Sequence, residues 1–160
     1  MRVISIDPGY ERLGIAVLQK EVGGKEMLLY SNCFQTPKGS PFIERLHAIG
    51  QELSRTVKEY SPEAMAIEAL YFSGNQKTAM HVAEVRGVLM YEAMNHKLIF
   101  VEYAPSQIKN AVTGDGRADK KQIHSMVTKL VTVNKKIRLD DEYDAIAIGI
   151  TFLACYRIAQ

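Results

Sequence analysis

The 160-residue sequence predicts an α/β domain. Its centre is expected to be a five-stranded mixed sheet, an antiparallel meander of three strands plus two further strands, with helices on both faces. Three observations carry this. Residues 1–34 hold three apolar runs joined by short glycine-bearing turns, the pattern of antiparallel neighbours. Beyond residue 41, strand-like runs alternate with stretches of helical periodicity. The segment LDDEYDAIAIGI (139–150) opens with acids and then turns apolar, as a buried helix would. At 47% hydrophobic and 24% charged, the composition suits one globular domain spanning 1–160.

The elements follow in order. RVISID (2–7) reads as a buried strand, with Val3, Ile4 and Ile6 in one short run. PGYER turns the chain, and Pro8 biases Asp7 towards extended backbone. LGIAVLQ (13–19) is the second strand, VGGK (22–25) a turn, and EMLLYSNCF (26–34) the third strand. TPKGSP (36–41) is a loop. Ser40 is expected to cap a helix that begins at Pro41 and repeats Phe42, Leu46, Ile49, Leu53 and Val57 on one face. EAMAIEAL (63–70) is a fourth, central strand, and YFSGN (71–75) a loop. A long helix is expected from about Gln76 to Asn95, then a fifth strand, KLIFVEYA (97–104). Pro105 opens a short helix to about Val112, and TGDGRAD (113–119) is a loop. Asp119 with Gln122 forms a capping box for a helix whose apolar face holds Ile123, Met126, Val127, Leu130 and Val131. The last helix starts near Asp141.

Bulk features exclude several classes. Cys33 and Cys155 lack zinc spacing and read as reduced, packed cysteines. No signal peptide is expected at the N-terminus, and no apolar run approaches the roughly 20 residues of a membrane span. The expectation is a soluble, cytoplasmic chain. Net charge is only +2, but residues 105–138 concentrate Lys109, Arg117, Lys120, Lys121, Lys129, Lys135, Lys136 and Arg138 against Asp115 and Asp119. A basic sector on an otherwise acidic chain suits a polyanion.

Two acids stand where strands end. Asp7 closes the first strand and Glu68 the apolar run AMAIE. Ligand sites in open α/β sheets form at such strand ends. Asp141 and Asp144 are three apart, so a helix presents them on one face, which Ala145 and Ile148 continue towards the sheet. Asp140 and Glu142 lie off that face and are expected to cap and to be solvated. Convergent carboxylates need a cation, and an all-oxygen set suits Mg²⁺ or Mn²⁺. His47, His81, His96 and His124 offer no metal spacing. A carboxylate-held Mg²⁺ pair is suited to in-line attack of water on a phosphodiester.

The motifs IDPG, AIE, G-x-GRADK and D-x-x-DAIAI, in this order from Met1 to about Tyr156, resemble those of the RuvC-type Holliday junction resolvases, nucleases of the ribonuclease-H-like superfamily. The resemblance implies a ribonuclease-H-like fold and a homodimeric endodeoxyribonuclease of DNA recombination and repair. Such an enzyme nicks four-way junctions in symmetric pairs, using two Mg²⁺ per site, with Mn²⁺ able to substitute. It assigns catalysis and metal binding to Asp7, Glu68, Asp141 and Asp144, with Asp7 bridging. It assigns DNA binding to Tyr71, which would stack on unpaired bases, and to Lys109 and Lys120; Phe72 beside Tyr71, and Arg117 and Lys121 of the basic sector, are expected to bind DNA with them. The helix from about Gln76 resembles the dimer helix, and the RuvA and RuvB branch-migration proteins are implied partners. Two departures from the pattern are a short C-terminal tail and a modest net charge. Competing readings are another ribonuclease-H-like nuclease acting on RNA or nucleic-acid ends, a non-catalytic junction-binding protein, and a sugar-kinase or actin-like nucleotide-binding domain.

Overall fold

The computed structural model describes residues 1–21, 23–70 and 76–156. Three strands come first: β1 (Arg2–Asp7), β2 (Arg12–Lys20) and β3 (Glu26–Gln35). Helix α1 (Phe42–Tyr60) leads to β4 (Ala64–Glu68), α2 (Gln76–Asn95) and β5 (Ile99–Tyr103). Helices α3 (Pro105–Thr113), α4 (Lys120–Leu130) and α5 (Asp140–Cys155) complete the order. The sheet runs β3-β2-β1-β4-β5. The first three strands are antiparallel, whereas β4 pairs parallel to both β1 and β5. The expected mixed sheet is therefore present, with β1 and β4 side by side.

The strands alternate large and small residues, and this sets how closely each helical layer approaches. One face carries Ile4, Ile6, Ile15, Val17, Met65 and Ile67, packed against Ile49, Leu53 and Val57 of α1 and Val85, Leu89 and Ala93 of α2. The other face carries Val3, Ala16, Ala64 and Ala66, and holds α5 with α3 and α4. Ser5 and Gly14 also lie on that side. The Ser5 hydroxyl donates to the Ala145 carbonyl at 2.7 Å. A Cβ on Gly149 would come within 2.3 Å of Leu18 Cδ1 and 2.7 Å of Ser5 Oγ, so any larger residue would have to displace these side chains. Every residue from Ala145 to Leu153 is buried, so α5 is a core helix rather than an amphipathic one.

Several local expectations change. The fourth strand stops at Glu68 rather than Leu70, because its pairing with β5 ends there. Pro41, not Ser40, is the N-cap of α1, and no side chain caps that helix; the Ser40 carbonyl instead accepts from Arg45 Nε at 3.2 Å. The capping box of Asp119 and Gln122 is formed as expected. Both cysteines are free, but Cys155 is exposed at the last turn of α5 instead of packed.

Candidate active site

Parallel pairing sends the ends of β1 and β4 to the same sheet edge, which brings Asp7 and Glu68 there together. The third contributor is the first turn of α5. It rests directly on β2, where Gly14 is paired with Asp7. A Cβ on Gly14 would lie 2.0 Å from the Asp141 carbonyl oxygen and 3.1 Å from the Asp7 Cβ. The missing side chain is what lets Asp141 and Asp144 reach the strand-end acids.

Electrostatics reports the proximity. The Asp7 carboxyl is pushed up to about 8, first by burial and then by the charges of Asp144, Glu68 and Asp141, with Lys120 opposing. Burial, then Asp144, raises Glu68, against the pull of Lys109, Lys120 and Arg86. Asp144 is raised by burial, with Lys120 and His124 opposing. The Lys120 ammonium lies 3.6 Å from both Asp140 and Asp144, and the charges of Asp144 and then Asp140 make Lys120 hold its proton more firmly than usual. Asp141 Oδ2 is buried without a hydrogen bond and faces Arg12 Nε at 3.4 Å.

Two cavities meet at Glu68 and Pro105. One, of about 300 Å³, is lined by Glu68, Lys109, Lys120 and Asp144; the other, of about 260 Å³, by Asp7, Pro8, Glu68 and Val82. Among the described residues, no three His, Cys, Asp or Glu side chains are closed around a metal position. The donor set still fits a hard divalent cation. It is all oxygen, its neighbouring carboxylates add to burial in raising Asp7, and it includes a buried carboxylate oxygen, Asp141 Oδ2, that has no hydrogen bond.

The four acids and two lysines singled out in the sequence thus share one edge of the sheet. Arg117 and Lys121 are exposed and line neither cavity. Tyr71 and Phe72 lie outside the described residues. Glu142 corrects the sequence reading. It is buried, accepting from Ser31 Oγ at 2.6 Å and pairing with Lys135 Nζ at 2.6 Å, because β3 extends beneath the first turn of α5. Asp140 is solvated but does not cap; Leu139 is the N-cap and Asp140 pairs with Lys120. Sequence reasoning missed Arg12 and Arg86. It also missed His124, which stacks on Tyr143 at 4.2 Å and helps hold Asp144 ionised. No local pattern marks any of the three.

A family model described as crossover junction endodeoxyribonuclease RuvC matches residues 3–152. A RuvC of that description from Thermosipho melanesiensis is 43% identical over 149 residues, covering 93% of this chain and 94% of the relative. One from Alkaliphilus oremlandii is 41% identical over 150 residues, covering 94% and 91%. The structure of Thermus thermophilus RuvC in complex with a Holliday junction substrate superposes with a TM-score of 0.89 at 28% identity, covering 96% of this chain and 93% of that one. The yeast mitochondrial Holliday junction resolvase Ydc2 shares the fold, with a TM-score of 0.70 at 12% identity over 95% of this chain and 77% of that one.

Proposed function

The chain belongs to the RuvC family of crossover junction endodeoxyribonucleases, and from that premise we propose that it resolves four-way DNA junctions by paired symmetric nicks. The names of the relatives point to junction DNA, and away from RNA or nucleic-acid ends. The observation that carries the reading at the level of residues is the seating of α5 on Gly14, which puts Asp141 and Asp144 beside Asp7 and Glu68.

In this reading the whole chain is one nuclease domain, and Asp7, Glu68, Asp141 and Asp144 would hold two Mg²⁺, or Mn²⁺ in their place. Bound Mg²⁺ would supply an activated water and neutralise charge on the leaving oxygen. The chain's own groups do the rest. Lys109 and Lys120 line the cavity and present ammonium charge where a scissile phosphate gains negative charge. Arg117 and Lys121, exposed beside them, meet the flanking backbone. Tyr71 and Phe72 stack on bases at the branch point.

The reading includes a homodimer. Helix α2 supports it with Met80, Ala83, Gly87, Met90 and Met94, all exposed and spaced alternately by three and four residues, with Tyr91 beside them. RuvA and RuvB are the further partners in this reading. Among the described residues no helix is long and apolar enough to cross a membrane, and action on chromosomal junctions supports a cytoplasmic site.

The test uses a synthetic four-way junction and plain duplex, each with and without Mg²⁺. The expected result is symmetric nicking of the junction alone, dependent on Mg²⁺ and lost in Asp7→Asn. Cutting without metal, or equal cutting of duplex, would overturn the proposal.

A further inference from the structure

We propose that Arg86 is a positioning residue for the catalytic centre, tying α2 to the last residue of β4 and thereby fixing where Glu68 points. The proposal rests on the reading of Glu68 as a metal-holding carboxylate.

Arg86 is a buried arginine on α2, 8% exposed. One of its terminal nitrogens donates to the backbone carbonyl of Glu68, and the other to the carboxylate of Glu102 on β5. Register explains why one guanidinium reaches both. Ile67 lies opposite Glu102 and Glu68 opposite Tyr103, so the two acceptors sit on adjacent strands at one sheet edge. A planar fork of donors suits two such acceptors, whereas an ammonium offers a single point.

The end of β4 depends on that fork. Pairing of β1 with β4 stops at Ile6 and Ile67, so Glu68 has a strand neighbour only on the β5 side. The last ladder bond there runs from the Ala69 N–H to the Tyr103 carbonyl at 2.9 Å. Arg86 supplies a hold on Glu68 that the ladder does not. Glu102 is itself 43% exposed, so its charge pairing contributes little stability, and the service of the pair is geometric. The exposed apolar row of α2 runs beside Arg86 on the same helix, so whatever seats α2 also seats Glu68.

The experiment compares full-length Arg86→Met, Arg86→Lys, Glu102→Gln and Glu68→Gln with the native chain. Mn²⁺ binding is measured by calorimetry without DNA, junction affinity without divalent ions, single-turnover cleavage with Mg²⁺, and folding by thermal midpoint. Arg86→Met is expected to weaken Mn²⁺ binding and slow cleavage by about 10–100-fold, the range typical of groups that orient metal ligands. Junction affinity should be unchanged. Arg86→Lys should recover part of both losses, and Glu102→Gln should show a smaller loss in the same direction. Native Mn²⁺ binding and cleavage in Arg86→Met would overturn the proposal. If Arg86→Met does not fold, native Mn²⁺ binding in both Arg86→Lys and Glu102→Gln overturns it. Glu68→Gln separates the two readings. Should it keep native Mn²⁺ binding, the assignment of Glu68 fails; should it lose binding while the Arg86 variants keep it, only the role of Arg86 fails.

Discussion

Asp7 bears the largest energetic cost of the site, and the cost has a pH signature. Its carboxyl sits near 8 in the fold against an ordinary 3.8. Between those values the folded chain keeps a proton that the unfolded chain has released, so stability falls as pH rises through the window. Asp7→Asn removes the penalty. The metal-free variant is expected to melt above the native protein at pH 8, by roughly 2 kcal/mol or more, with the gain shrinking towards zero near pH 4. Thermal melts in chelator at the two pH values check this, and equal midpoints at pH 8 would contradict the account. The convergence of the four acids was legible because strand ends and an i, i+3 spacing are local signals. Glu142 was misread because its partner Ser31 is 111 residues away. Arg12 and Arg86 escaped for the same reason: what an arginine meets across a fold leaves no mark in its neighbours.

Among the elements, α5 decides the most. Its small-residue bed on β1 and β2 sets the height at which the first turn rests, and with it the spacing of the acids. Gly14→Ala adds one methyl group 2.0 Å from the Asp141 carbonyl. The turn must lift, and an ångström of displacement at a reacting centre can cost on the order of 100-fold. Cleavage of the junction is therefore expected to fall by about that factor, with affinity for the junction kept. A Gly14→Ala protein cleaving at the native rate would show that α5 can re-seat without loss. The element order and the β1–β4 neighbourhood were readable from alternating runs and turns. The ends of β4 and the cap of α1 were not. Ala69 and Leu70 look like strand by composition, yet the pairing with β5 ends before them.

For the whole molecule, charge and shape divide the labour. The basic stretch 105–138 is less free than its composition suggests, since Lys120 faces Asp140 and Asp144 and Lys135 faces Glu142. Under the proposed homodimer, paired cutting depends on α2 bringing two copies together. The double change Met90→Glu and Met94→Glu puts charge in the middle of the exposed apolar row. It is expected to give a monomer by light scattering and to leave junctions with single, uncoordinated nicks. A native chain that is already monomeric at micromolar concentration would remove the basis for this.

The continuous burial of Ala145–Leu153 has one more consequence. That enclosed stretch of α5 has no cheap way to open on its own, so its amides are expected to be among the slowest in the chain to exchange with solvent, checked by native-state hydrogen exchange. Asp141 and Asp144 stand at the head of that helix. They lie in its partly exposed first turn, joined directly to the stretch that opens last, so the segment that positions them is anchored in the core.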